Sequence, residues 1–412
     1  MVQPKKACAD ARHQTQPQKA NFSVPGTLPE EAQPIWHLRQ VCYIFPSGGL
    51  LNMSRIPVAV VGATGLAGQE FLVSLAGHPM LQVVKVAASS RSAGKTMADA
   101  VKDDKGASRW FCTEPLPAEM AGLKVEDSAT MTTEGVRLVF SAVEADVARE
   151  LEPRCAASVP VISTASAFRY EPDVPIFLPG VNWDHAGLIQ VQRKKRGWKG
   201  FITPGPNCTT VGLAMTLRPL DLAFGIERVI MTSMQALSGA GRSPGVTAMD
   251  ILDNIIPYIP KEEEKVERET AKILGKLVGD AIVPAPLSVS CTCTRVNVLE
   301  GHTESVFVQL KRPTRLDDVK AVWREFGADL AGLALPSAPK HLIAIREDPY
   351  RPQVRLDRDE EGGMATVVGR LREDPALPNG IKYILVSHNT RMGAAKGAIL
   401  VGEYLIKKGH IV

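Results

Sequence analysis

The stretch Phe201-Ile202-Thr203-Pro204-Gly205-Pro206-Asn207-Cys208-Thr209-Thr210-Val211-Gly212 sets one cysteine between a Pro/Gly-rich turn and an apolar run, Val211 to Leu217, that reads as a helix. Pro206 bars a helix before it and Asn207 is a good N-cap, so Cys208 falls in the first helical turn. Orphan backbone N–H groups and the positive end of the helix dipole favour a thiolate there, which predicts a lowered cysteine pKa. The same N–H groups can hold an oxyanion that develops during attack on a carbonyl. The plainer reading is a small buried core cysteine, and only the rest of the chain can decide between the two.

A second chemical element lies upstream. Ile56 to Val61 is an apolar run that reads as a buried parallel strand, and it leads into Gly62-Ala63-Thr64-Gly65-Leu66-Ala67-Gly68 and a helical stretch, Gln69 to Ala76. Glycines between a strand and a helix permit a tight turn and let backbone N–H groups approach a pyrophosphate. The same glycines would also serve close strand–helix packing. The next strand, Val83 to Ala88, ends in Ser89-Ser90-Arg91-Ser92-Ala93-Gly94-Lys95, with no Asp or Glu to hold a ribose 2′-hydroxyl. Serines, an arginine and a lysine fit a 2′-phosphate, so NADP is the expected cofactor rather than NAD.

The elements that must position these groups form a long chain of 412 residues, enough for two domains with sizeable cores. Hydrophobic residues make up 45%, charged residues 22% and aromatics 5%, the balance of a soluble globular enzyme. The net charge of +4 is spread along the chain, which gives nucleic-acid binding no support and suits anionic small molecules. Arg193-Lys194-Lys195-Arg196, the one compact basic run, reads as a solvated helix end. Seven scattered cysteines imply a reducing compartment, and Cys291-x-Cys293 lacks a second pair at zinc spacing, so no metal is expected. No apolar run approaches the roughly 18 residues of a membrane helix, and a cytoplasmic location is expected. Residues 1–54 are rich in Gln, Pro and Ala without hydrophobic period. They read as a disordered tail, a transit-type segment, or a mis-assigned start with translation beginning at Met53.

Arg137 to Val143, with Ser141 near its end, and Val159 to Ser163 read as further strands of the cofactor sheet, and Pro175 to Asn182 as an apolar segment returning to the surface. Beyond Cys208, Arg228 to Met234 reads as a strand followed by the Gly/Ser loop Gln235 to Gly245, a ligand-facing segment. Glu262 to Leu274 is helical, and a charged face of i,i+4 pairs is the plain account of its start. Val289 to Leu299 and Glu304 to Leu310 read as an antiparallel pair joined by Glu300-Gly301-His302-Thr303, a hairpin that would leave His302 at the surface. Strands clustered without regular α alternation indicate an α+β second domain. The expected fold class is therefore α/β. A Rossmann-type domain spans 55–205 and is completed by 388–412, and a catalytic and dimerisation domain with a mixed sheet spans 206–387.

Taken together these segments resemble the aspartate-β-semialdehyde dehydrogenases, in the branch typical of archaea and fungi. The resemblance runs from Ile56 to the C-terminus. It is carried in order by Gly62-Ala63-Thr64-Gly65, Pro206-Asn207-Cys208-Thr209, Gln235-Ala236-Leu237-Ser238-Gly239-Ala240-Gly241 and Glu269-Thr270-Ala271-Lys272-Ile273-Leu274, then by Arg295-Val296, Gly301-His302-Thr303-Glu304 and Ser387-His388-Asn389-Thr390. Two places depart from the family: Pro204-Gly205 where Thr-Asn is common, and Arg391-Met392-Gly393-Ala394-Ala395-Lys396 at the C-terminal motif.

The resemblance implies Cys208 as nucleophile, His302 as acid–base partner and Gln235 positioning the acyl intermediate. It implies Arg295 on the substrate carboxylate, Glu262 and Lys265 on its amino group and phosphate, and Asn207 beside them. For the cofactor it implies Gly62, Thr64, Gly65, Leu66 and Ala67 at the pyrophosphate, and Ser89, Ser90 and Arg91 at the 2′-phosphate. Ser238, Gly239 and Asn389 would lie near the nicotinamide, and Ser141, a small residue at a strand's carboxyl end, is a further cofactor-binding candidate. The implied reaction is NADPH-dependent reduction of aspartyl phosphate to aspartate semialdehyde and phosphate, for lysine, threonine and methionine synthesis, by a homo-oligomer. A malonyl- or succinyl-CoA reductase of the same fold and a non-catalytic NADP-binding protein are the alternatives the residues leave open.

Overall fold

The computed structural model describes residues 55–241 and 246–412. The readings of residues 1–54 and of Arg242 to Gly245 fall outside them.

Six strands build the first sheet: β1 (Ile56–Val61), β2 (Leu81–Ala88), β3 (Val125–Asp127), β4 (Leu138–Ser141), β5 (Val161–Ser163) and β6 (Ile202–Pro204). All pairs are parallel and the order is β3-β2-β1-β4-β5-β6, the doubly wound arrangement of dinucleotide-binding folds. Helices on both faces explain the near-continuous apolar strands, of which Val58 to Val61 and Leu138 to Ser141 are buried outright. Between strands β1 and β2 runs α1 (Leu66–Leu75), and α2 (Ala145–Ala156) joins β4 to β5. Pro175 to Asn182, read as a segment returning to the surface, instead crosses the interior: Ile176, Phe177 and Leu178 are buried. Asn182 supplies its missing ladder partners, accepting from Leu178 N at 2.9 Å and donating to Ile176 O at 2.7 Å. The basic run ends helix α3 (Leu188–Arg196) and is not merely solvated, since Arg196 Nε donates to Asp173 at 2.6 Å.

The nucleophile segment leaves β6 and becomes α4 (Cys208–Phe224), which packs against the second sheet. That sheet contains β7 (Ile226–Gln235), β10 (Ser288–Arg295), β11 (His302–Leu310), β12 (Ile343–Arg346), β13 (Thr366–Asp374) and β14 (Gly380–Ser387), in the mixed order β10-β7-β11-β14-β13-β12. A small hairpin, β8 (Lys276–Val278) with β9 (Ala281–Val283), follows helix α5 (Glu262–Ile273). Alternation along β7 buries Val229, Met231, Ser233 and Gln235 on one face. The expected β10–β11 hairpin does not form. β7 lies between them, parallel to β10 and antiparallel to β11, and His302 opens β11 fully buried. Local spacing allowed the hairpin, but β10 completes the sheet from the far side of β7. Helix α6 (Leu316–Glu325) covers the sheet beside α4, and the last helix, α7 (Ala395–Lys407), returns to α1 and β5. Both sheets belong to one compact unit.

Candidate active site

Gly62 adopts a left-handed φ of +80°, and a Cβ there would stand 2.3 Å from Ala142 O. A Cβ on Gly68 would meet Gly62 O at 2.1 Å, so both outer glycines of the motif are set by packing of strand, turn and helix. The amino end of α1 carries no side-chain cap, which leaves its N–H groups for an anion. Thr64, Gly65, Leu66 and Ala67 line a cavity of about 1370 Å³, and Ser89, Arg91, Ser92 and Lys95 line its far end. An open helix terminus and a cationic, hydroxyl-rich end in one cavity fit a dinucleotide that bears an extra phosphate. Ser90 is exposed beside the cavity rather than on its wall. Ser141 is fully buried and does not reach it. It lies near Glu152 of α2, whose carboxyl burial pushes up to about 7 although it accepts a hydrogen bond from Ser163 Oγ at 2.5 Å.

Sequence reasoning passed over Gln69, a buried residue of α1. Its Nε2 donates to Thr64 O at 3.0 Å and Arg109 O at 2.9 Å, and its Oε1 accepts from Phe111 N at 2.7 Å. It fastens the glycine turn to the strand-like segment that carries Arg109 to the cavity. Only the fold shows this, because the partners lie some 40 residues apart.

At the other end of the cavity stand Cys208, Asn207, Glu262, Lys265 and Arg295. Asn207 caps α4 as its sequence predicts, its Oδ1 accepting from Thr209 N at 2.9 Å and Thr210 N at 3.3 Å. Its Nδ2 donates to Glu262 Oε1 at 2.8 Å, and Lys265 Nζ reaches Glu262 Oε2 at 3.2 Å, one turn along α5. Glu262 is thus buried in the site and not part of a solvated face. Arg295 faces Gln235 across the β10–β7 ladder, and Thr303 pairs with Met234, so His302 falls opposite Gln235. The row Arg295, Gln235, His302 closes one end of the second sheet beneath Cys208. Gln235 is buried, its Nε2 donating to Ser233 Oγ at 3.2 Å. Asn389 ties the Gly/Ser loop down, donating to Ser238 Oγ and accepting from Gly301 N, both at 2.8 Å. A Cβ on Gly239 would lie 2.9 Å from Arg295 Nη1 and 3.2 Å from His302 Cε1, so the loop rests directly on Arg295 and His302.

Cys208 Sγ lies 3.1 Å from His302 Nε2. The other ring nitrogen, Nδ1, accepts from Ala236 N at 3.1 Å. A neutral ring with an occupied Nδ1 lone pair carries its proton at Nε2, and therefore donates to the sulfur. Burial, with the Arg295 guanidinium and the His388 ring behind it, holds His302 down to about 3. The expectation of a thiolate-favouring cysteine is corrected here. Burial and the Glu262 carboxylate push the Cys208 thiol up to about 12, outweighing Arg295, Arg169 and the helix-end N–H of Thr209. Helix ends stabilise a thiolate, but desolvation in this enclosed spot costs more. The free protein therefore rests as a neutral thiol beside a neutral imidazole. Alkylation of Cys208 by iodoacetamide, followed by peptide mapping, is expected to rise about tenfold per pH unit between roughly pH 7 and pH 10. A plateau in that range would reveal a thiolate already formed.

A parallel dinucleotide sheet that opens beside a half-buried cysteine and a buried histidine is the arrangement of a nicotinamide-dependent aldehyde dehydrogenase. Two family models match: "Semialdehyde dehydrogenase, NAD binding domain" over residues 57–189 and "Semialdehyde dehydrogenase, dimerisation domain" over 217–392. The chain is 44% identical over 350 residues to the aspartate-semialdehyde dehydrogenase of Methanothermobacter thermautotrophicus, covering 85% of this chain and 99% of the relative. To the Saccharomyces cerevisiae enzyme of that name it is 41% identical over 368 residues, 85% and 98% of the two chains. The crystal structure of the Candida albicans enzyme with NADP superposes with a TM-score of 0.76 at 40% identity, over 86% of this chain and all of that one. The protein belongs to the aspartate-semialdehyde dehydrogenase family.

Proposed function

We propose that the protein reduces L-aspartyl 4-phosphate to L-aspartate 4-semialdehyde and phosphate with NADPH, through a thioester on Cys208. The observation that carries this reading is the 3.1 Å contact between Cys208 and His302 at the wall of a cavity shared with the glycine turn. Attack by the sulfur on the acyl carbon expels phosphate and frees the thiol proton. His302 is the group in reach of that proton. Taking it at Nε2 belongs to the ring tautomer protonated at Nδ1, which gives up the Ala236 N–H contact. The N–H groups that open α4 can hold the oxyanion left when a hydride reaches the thioester carbon. Bound NADPH supplies that hydride. Collapse releases the aldehyde, and His302 returns the proton to the sulfur. Arg295, Glu262 and Lys265 give the complementary set for a carboxylate, an ammonium and a phosphate.

Ser89, Arg91 and Lys95 at the far end of the cavity support NADP over NAD. Replacing Arg91 by alanine is expected to raise the KM for NADPH roughly 10- to 100-fold, the loss of one charged hydrogen bond, while NADH use changes little. Steady-state kinetics with both cofactors measures this, and equal shifts would refute the assignment. A homo-oligomer is proposed on the dimerisation-domain match and on apolar residues left in the open, among them Met249, Ile255 and Ile230. No helix among the described residues is long and apolar enough to cross a membrane.

The deciding experiment follows NADPH formation by the purified protein with aspartate semialdehyde, phosphate and NADP, beside NADPH consumption with malonyl-CoA. Phosphate-dependent turnover of the semialdehyde supports the proposal. Turnover of malonyl-CoA alone would replace the substrate while keeping the cysteine chemistry.

A further inference from the structure

The turn before the nucleophile, Gly205-Pro206-Asn207, has few ways to hold itself past Gly205, whose N–H ends the β5–β6 ladder on Ser163 O at 2.8 Å, since Pro206 has no N–H. One buried ion pair holds most of it. Arg169 Nε donates to Gly205 O at 2.9 Å, and Nη2 donates to Pro206 O at 3.2 Å and to Thr164 O at 2.9 Å. Its remaining nitrogen, Nη1, reaches Glu269 Oε1 at 3.1 Å. The other oxygen of Glu269, Oε2, accepts from Asn207 N at 2.6 Å. Tyr170 adds a donor to Oε1 at 3.3 Å. Glu269 is fully buried in the middle of α5.

We propose that Glu269 is a positioning residue for the covalent reaction: with Arg169 it clamps the backbone on the amino side of Cys208 and so fixes where the sulfur points. A fold-only role accounts poorly for the arrangement, because buried ion pairs add little net stability over apolar packing. The contacts converge on one peptide, that of Asn207, whose side chain also caps α4 and meets Glu262. The same helix reaches the substrate end of the cavity through Glu262 and Lys265, one to two turns earlier. At its far end Lys272 donates to the carbonyls of Arg169, Glu171 and Val174 at 2.8, 3.0 and 2.8 Å. One rigid element therefore registers the substrate groups, the nucleophile turn and the segment carrying Arg169 against one another. Misplacing an attacking atom by about 1 Å is enough to lose roughly two decades of rate.

The inference rests on the proposed reaction only where turnover is read. Glu269→Gln is nearly isosteric and is expected to lower kcat roughly 100-fold with the KM values little changed. It should also speed alkylation of Cys208 by iodoacetamide at fixed pH, because Arg169, which favours the thiolate, loses its counter-charge. Arg169→Gln should lower kcat as well but slow the alkylation. Alkylation needs no substrate, so it reads the clamp even if the substrate proves different. Cys155 and Cys293 are buried, and their protection from iodoacetamide reports an intact fold. Slower turnover with opposite shifts in thiol reactivity supports the clamp. Retained kcat in Glu269→Gln overturns it, and so does a loss that comes with labelling of Cys155 and Cys293.

Discussion

Replacing Cys208 by serine is expected to lower NADPH turnover by about ten-thousand-fold or more, the scale on which enzymes lose a nucleophile. Three features act together. A hydroxyl is far less acidic than a thiol, and the enclosure that already pushes the thiol up to about 12 opposes an alkoxide further. An ester is also a poorer hydride acceptor than a thioester. The helix itself is capped by Asn207 and not by Cys208, so the variant should fold and still bind NADPH. Single-turnover NADPH oxidation, with cofactor binding followed by fluorescence, separates these effects. A serine variant that kept even a few per cent of turnover would show that the reaction does not depend on the sulfur.

Removing the imidazole should have the next largest effect. His302→Ala is expected to lower kcat between about 100- and 10,000-fold, the usual contribution of a placed acid–base group. The substitution also strips the Ala236 N–H of its acceptor, at a cost of about 1–3 kcal/mol of stability, so turnover has to be measured where the variant is shown to be folded. The pH dependence distinguishes the ring's role. Burial with Arg295 and His388 holds His302 down to about 3, so the free ring stays neutral from mildly acid to alkaline pH. The kcat/KM profile of the variant should therefore keep the shape of the parent profile and fall in height. An inflection near the ordinary histidine value of about 6.5, present in the parent and absent in the variant, would show a ring that titrates in the free protein.

What the chain revealed before folding was what depends on neighbours in sequence. Pro206 and Asn207 punctuate the start of α4, and the glycines of 62–68 sit between a readable strand and helix. The cationic end of β2 is legible because an acid is missing there. The unreadable parts depend on distant partners. Glu269 and Asn207 are separated by 62 positions, and α5 read alone shows only a charged helix. His302 looked like a surface turn because β7, which separates β10 from β11, lies far earlier in the chain. The thiol was misjudged for a related reason: a helix end is a local property, while desolvation belongs to the assembled site. Ser141 fits a strand-end motif, yet it is fully buried in the sheet and does not reach the cavity.

The route of the chain from β6 through Gly205-Pro206-Asn207 into α4 bears on how such proteins can be recombined. The Cys208 sulfur belongs to neither half: it stands where the chain passes from the parallel sheet to the mixed one. Exchanging one half for that of a relative would therefore not be a swap of independent modules. A chimaera joined between Arg169 and Gly205 takes Arg169 from one parent and the turn with its Glu269 from the other, and one joined between Cys208 and Glu269 parts the turn from the carboxylate that holds it. Successful grafts should be those in which Arg169, the 205–208 turn and Glu269 travel as a single inherited unit, however the surrounding surfaces diverge.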